Sequence, residues 1–430
     1  MRLNEDFLHY IWQYRLLTSL DLYCTDGSRL EIIDPGIPNT HAGPDFSTAR
    51  LRIGGQLWVG NVEIHLRASD WLQHQHQENS LYDTVILHAV YENDAEICRT
   101  NGSRIPVLLM KDLLPETMLQ RYRALLEARN FFPCAAQIGQ TGPSVIRNTM
   151  HTAAIQRLQQ KSADLELLMT RNKYNWTETF HQLLIRNFGF KVNNVPFELL
   201  AAGLPATLLA RHRNQPLQIE ALLFGQAGFL EGDFKDSYPR QLQTEYAFLR
   251  KKYQLMPLDH AIWKFLRMHP QNFPVLRIAQ LAGMLTGNSP AISDVLGAAD
   301  LQSLIRLFAP TSVHPYWNDH FNFDKGCKAM KLKPGRKSIE NLIINTVCVM
   351  MYHYGEYFCV PEFQQRAITF LKKMPAEQNA ITRAYKKAGL ILTSAWDSQA
   401  VLQLYKYSCL LRKCLNCDIG RDLIAVKAVN

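Results

Sequence analysis

HAGPDFSTARLRIGGQLWVGNVEIHLRASDWLQHQH, residues 41–76, is the stretch on which the reading of this chain turns. It opens on a turn-forming Gly43-Pro44-Asp45, enters the alternating run ARLRI (49–53), reverses at Gly54-Gly55 and returns as LWVGNVEIHL (57–66). Two adjacent glycines supply the positive φ that a two-residue hairpin demands, so the two runs are expected to pair antiparallel. On the returning strand, residues two apart share a face. Glu63 and His65 therefore project together with Asn61 and Val59, while Trp58, Val62, Ile64 and Leu66 face a core. A carboxylate and an imidazole inside an otherwise buried strand cost stability unless they are satisfied, which marks the pair as functional. SDWLQHQHQ reads as the start of a short helix capped by Ser69 or Asp70.

Working outward, LEIID (30–34), TVILHAVYE (84–92) and IPVLLM (105–110) have strand length and composition. Asn4 to about Thr18 forms an amphipathic helix, with Asn4 as N-cap, Glu5 and Asp6 at its positive start, and Phe7, Ile11, Tyr14, Leu16 and Leu17 as its stripe. Past residue 115 the apolar spacing changes to three and four. Helices are expected over 145–171, 178–187, 196–203, 217–226, 240–251, 259–267, 275–286, 298–308, 338–353, 361–372, 377–388 and 396–413, punctuated by prolines. The expected fold is an α+β (α/β) N-terminal domain, residues 1–115, with a mixed sheet flanked by helices. A mainly α-helical region follows over 116–430, open to division into two subdomains.

The 430 residues are 47% hydrophobic and 20% charged, a globular balance rather than a disordered one. The net charge of +9 favours polyanionic partners, nucleic acid first among them. The N-terminus lacks a signal-peptide core, and IENLIINTVCVMMYHYGEYF is broken by Glu340, Asn341, Asn345 and His353. No membrane span and a cytoplasmic location are expected. Nine scattered cysteines suit reduced thiols. GxxxxGK[ST], GxGxxG after a strand, and GxSxG are all absent, which excludes ordinary P-loop, dinucleotide-binding and serine-hydrolase readings.

Clustered carboxylates are what a metal-dependent phosphodiesterase needs to hold a hard cation beside water and phosphate. Asp45, Glu63 and His65 are the candidates. A strict two-residue turn pairs Ile53 with Gln56 and so sets Asp45 opposite Ile64, on the wrong face for Glu63. An irregularity between Asp45 and the turn, such as a bulge, is therefore required.

Residues 30–110 resemble the PD-(D/E)xK nuclease superfamily, on Pro44-Asp45 followed by Glu63-Ile64-His65 and on the order helix, three strands, helix, strand. The resemblance implies that Asp45, Glu63 and the Ile64 carbonyl bind Mg²⁺ or Mn²⁺, with His65 where that superfamily has Lys. A neutral His positions water or takes a proton. Glu5 is the implied extra acid from the first helix. The whole chain also resembles a bacterial family of unknown function, on residues 41–76, YDTVILHAVYEND (82–94), NFPVLRIAQLA (272–282) and CLNCDIG (414–420). The function expected is metal-dependent cleavage of DNA or RNA, or else non-catalytic nucleic-acid binding or scaffolding on a nuclease-like fold.

Accessory candidates are Asp70, His74, His76 and His88. An HxH pair chelates zinc only off a helix, because helical i and i+2 face apart; surface histidines are the plainer reading. Cys409, Cys414 and Cys417, spaced C-x4-C-x2-C, suit zinc or an iron–sulfur cluster, with Cys327 or His320 as fourth ligand. Packed free thiols are the alternative. The basic runs RHRN (211–214), RKKY (250–253), KAMKLKPGRK (328–337) and RAYKKAG (383–389) read as phosphate contacts or as solvated faces.

Overall fold

The structure is a computed structural model that describes residues 3–287, 289–309, 313–329 and 332–425. The Gly54-Gly55 turn closes the hairpin as its sequence demands, with φ of 58° and 87° and Ile53 opposite Gln56. It joins β4 (Phe46–Ile53) to β5 (Gln56–Arg67). Around this hairpin a seven-stranded mixed sheet assembles from β1 (Leu22–Tyr23), β2 (Arg29–Asp34), β3 (Ile37–Pro38), β6 (Val85–Glu92) and β7 (Val107–Leu109). The order is β1-β2-β4-β5-β6-β7, with β3 also on β4. Pairing is antiparallel up to β5 and parallel from β5 through β6 to β7. A parallel pair cannot be joined by a tight turn and needs a crossover. Residues 68–84 provide it, with one helical turn, α2 (Asp70–Gln73), and two short 3₁₀ turns.

One sheet face buries Leu30, Leu51, Val62, Ile64, Leu87 and Leu108 against α1 (Glu5–Gln13) and α3 (Glu116–Glu127). Cys414, Leu415 and Ile424 complete that core. Smaller clusters gather Trp71, Tyr82, Val85, Ile97 and Ile105, and Ala68, Val90 and Val107. Two sequence expectations change here. The first helix ends at Gln13, because Arg15 takes a left-handed φ of 51°. Trp58 is not buried in a core: it is 39% exposed although it pairs with Leu51, on the part of β5 that lies, with Leu57 and Val59, beyond its pairing with β6. The strand alternation is sound there, but burial stops where no helix covers it.

The contacts divide the chain into two compact units. The first joins residues 1–150, 384–390 and 404–430, and the second joins 151–383 and 391–403. The expected boundary at 115 falls just before α3, which packs into the first unit's core. The second unit is mainly helical, with pairs such as Pro216–Gln226 against Ser237–Tyr253 and Cys348–Tyr357 against Pro361–Lys373, and carries a two-stranded antiparallel sheet of His320–Asn322 and Lys325–Gly326. Only one 3₁₀ turn, His260–Ile262, forms where a helix was expected over 259–267. The helix expected over 396–413 is Ala395–Leu404 followed by a π turn, Tyr405–Cys409. Among the described residues, no helix is long and apolar enough to cross a membrane.

Candidate metal and catalytic site

Two register shifts bring the polar residues together. In β4, Ala49 lies opposite Gly60 and Phe46 opposite Val62, so Ser47 and Thr48 share one partner, Asn61. Thr48 takes a φ of 55°, an uncommon conformation for a β-branched residue. This bulge sets Asp45 level with Glu63 rather than Ile64. The Asp45 N–H donates to Glu63 Oε2 at 3.0 Å, and Asp45 Oδ2 accepts the Ile64 N–H at 2.9 Å. The second shift lies between β5 and β6, where Asn61 is opposite Val85 but Val62 opposite Leu87. It puts His88 beside Glu63.

Asn61 connects the two irregularities. Its Oδ1 accepts the Thr48 N–H at 3.2 Å, and its Nδ2 donates to Thr84 Oγ1 at 2.8 Å. Gly60 permits the strands to meet there, since a Cβ would stand 2.4 Å from Ile86 Cγ2 and 2.7 Å from the Thr84 carbonyl oxygen.

The crossover returns over the face that carries Glu63, His65 and His88. Its helical turn ends at His74, and Gln75 adopts left-handed φ/ψ of 58° and 33°. That single residue removes the i, i+2 divergence of a helix and folds His76 back, leaving the His74 and His76 rings 5.4 Å apart. His76 is buried and stacks on Tyr82 at 3.7 Å, whereas His74 is exposed. The surface reading of this pair thus holds for His74 alone. His65, His74 and His76 each bring a ring nitrogen within 4.8 Å of the other two, the one such three-residue group of His, Cys, Asp or Glu among the described residues.

Glu63 Oε1 lies 3.4 Å from His65 Nε2 and 3.3 Å from His76 Nε2. Burial raises the Glu63 pKa although the His76 imidazole lowers it. Burial also lowers His65 to about 4, so this ring is neutral at physiological pH and free to donate a lone pair. His65 Nδ1 meets His88 Nε2 at 2.9 Å, and His88, fully buried, is held well below the usual histidine range by burial and by its neighbours His65 and His76. A second imidazole on the far nitrogen holds the orientation of the ring, as supporting groups do behind metal-bound histidines.

One participant escaped the sequence reading. His9 Nε2 lies 3.2 Å from Asp45 Oδ2. Burial works against its charged form, but Asp45, Glu5 and Asp6 outweigh burial and raise its pKa. The legible signal was the i, i+4 spacing of Glu5 and His9 on one helix face. Glu5 itself accepts the Leu66 N–H at 3.4 Å and is raised by burial. Asp70 accepts the Arg67 N–H at 2.9 Å and also pairs with the Arg67 side chain. Ser69 does not cap its helix; it donates to Asp94 through both N–H and Oγ.

A hard Mg²⁺ ion prefers an all-oxygen shell. Three imidazoles beside a carboxylate form instead a nitrogen-rich donor set, suited to Zn²⁺ or other borderline divalent ions rather than to Mg²⁺ or Mn²⁺. Of the proposed fourth cysteine ligands, Cys327 and His320 belong to the second unit, whereas Cys409, Cys414 and Cys417 belong to the first. No curated protein and no solved structure matches the chain. Residues 5–380 match the family described as "Protein of unknown function (DUF2851)", and the chain belongs to that family.

Proposed function

We propose that the first unit is a metal-dependent phosphodiesterase acting on nucleic acid. The observation that supports this reading is the convergence of Asp45, Glu63 and His9 with the His65–His74–His76 group on one end of the sheet. In this reading His65, His74 and His76 would hold a Zn²⁺-type ion with Glu63 beside it. Such an ion, when bound, lowers the pKa of water and polarises a phosphoryl oxygen. His88 keeps the His65 ring in place. Glu63 accepts a proton within the buried part of the site. His9, whose charged form Asp45 favours, contacts a phosphate oxygen or protonates a leaving oxygen. His74, exposed, marks the side from which substrate enters. The net charge of +9 supports attraction of a polyanion.

The test pairs calorimetric titration of Zn²⁺ and Mn²⁺ with cleavage of single- and double-stranded DNA and RNA. Wild type is expected to bind one ion saturably and to cleave. His74→Ala should lose binding and cleavage, and Asp45→Ala should lose cleavage. Saturable binding with equal background cleavage in wild type and Asp45→Ala would leave a non-catalytic binding protein. Absence of binding would remove the metal site.

A further inference from the structure

The three clustered cysteines of the C-terminal segment take no part in the site above, and the fold gives them a neighbour. Cys134 follows Phe131-Phe132-Pro133 after α3 and packs against the core cluster that contains Cys414. This segment is fastened to the C-terminal one at several points. Phe132 stacks on Tyr385 at 4.0 Å with the rings 7° apart, and the Tyr385 hydroxyl meets Cys409 Sγ at 3.2 Å. Phe131 stacks on Tyr405 at 5.0 Å. The Arg412 guanidinium donates to the Leu125, Leu126 and Ala128 carbonyls that end α3, bridging residues 286 apart in sequence at Leu126. The Cys417 N–H donates to the Cys414 carbonyl at 3.3 Å, and burial first, then Cys409, Cys417 and Cys414, push the Cys134 thiol up, in keeping with these contacts.

We propose that Cys134, Cys409, Cys414 and Cys417 hold an iron–sulfur cluster. The set has the four thiols that such a cluster takes, with three at C-x4-C-x2-C spacing and one from elsewhere in the chain. Cys327, the sequence candidate for the fourth position, is replaced by a residue of the same compact unit. A tetrahedral zinc ion holds its four sulfurs roughly 4 Å apart. Among the described residues only the three imidazoles close to within 4.8 Å as a group, so no three of these thiols stand at the mutual spacing of a tetrahedral zinc site. Cys417 immediately precedes the short helix Asp418–Ile424. Gly420 lets that helix lie against the Cys414 turn, since a Cβ there would stand 2.1 Å from the Cys414 carbonyl oxygen. The cluster closes the first unit by tying its C-terminal segment to the end of α3, and it has no part in hydrolysis.

The full chain is to be purified without oxygen and assayed for iron, acid-labile sulfide, zinc and visible charge-transfer absorbance. The expected result is iron and sulfide in stoichiometric amounts. Cys134→Ser and Cys417→Ser should both fall to background, and Cys327→Ser should match wild type. Because a cysteine variant can misfold, wild type is also stripped with chelator and reconstituted with ferric iron, sulfide and excess thiol as reductant, which should restore the absorbance. Zinc without iron, failure of wild type to reconstitute, or a Cys134→Ser protein that keeps its iron would each overturn the assignment. None of these readouts depends on nuclease activity, so the two proposals fail separately.

Discussion

Replacing Asn61 by alanine tests whether paired register shifts build the site. Asn61 makes two side-chain hydrogen bonds, to the Thr48 N–H at 3.2 Å and to Thr84 Oγ1 at 2.8 Å. Each contributes about 1 kcal/mol net, and less where water can substitute. Thr48 is exposed, so its N–H is partly rescued by solvent. The expected loss of unfolding free energy is therefore about 1–2 kcal/mol. Against it stands the left-handed Thr48, whose strain is of order 1–3 kcal/mol. Without Asn61 the bulge loses the bond that opposes this strain, and the β5–β6 shift that places His88 behind His65 loosens with it. Removing support behind a metal-bound histidine weakens affinity by about 10–100-fold. The assay is urea unfolding together with zinc titration, on Asn61→Ala and Asn61→Asp. The aspartate keeps the acceptor for Thr48 and forfeits the donation to Thr84, so it should fall between alanine and wild type. A protein destabilised as calculated but binding zinc with unchanged affinity would refute the claim that these shifts position the site.

Three further outcomes follow from the same geometry. Gly60→Ala should cost about 1–3 kcal/mol by overpacking, read as a lower urea midpoint, because its Cβ meets Ile86 and the Thr84 carbonyl. Zinc at about 100 times its Kd should raise the unfolding free energy by about 2.7 kcal/mol, an increment that His74→Ala abolishes. In the second unit Lys161 is partly buried, bonded to Asn345 Oδ1 at 2.8 Å and Gln399 Oε1 at 2.9 Å, and burial then Arg157 depress its pKa to about 7. The unfolded chain binds this proton more tightly, so stability rises as pH goes from 7 towards 10.5 and is lowest below 7. The wild-type gain over Lys161→Met across that window is up to about 5 kcal/mol, measured by urea unfolding at several pH values.

Much of the sheet could be read from local pattern. Alternation and the Gly-Gly turn located β4 and β5, and the arithmetic of that turn showed that Asp45 needed an irregularity to meet Glu63. That the extra residue would be Thr48 was not legible, because nothing in a β-branched residue advertises a positive φ; the Asn61 bond that accompanies it comes from across the hairpin. The β5–β6 shift and the left-handed Gln75 were hidden for the same reason, since both arise where the crossover is pulled onto the sheet. Trp58 was misjudged because alternation reports which residues share a face and not whether anything covers it. Cys134 could not be paired with Cys409 by spacing, since only the tertiary fold brings those segments together. The same holds for the first unit's extent, which gathers three separate stretches of chain.

That discontinuity has a consequence for synthesis. Leu415 and Ile424 are part of the core that packs on β5, α1 and α3. As the chain leaves the ribosome from its N-terminus, the sheet emerges early and waits, its apolar face incompletely covered, while the whole helical unit is translated. At about 5–20 residues per second that wait lasts tens of seconds. Nascent chains halted before Leu415 should therefore be protease-sensitive in the sheet and prone to chaperone capture, although every strand has already been made.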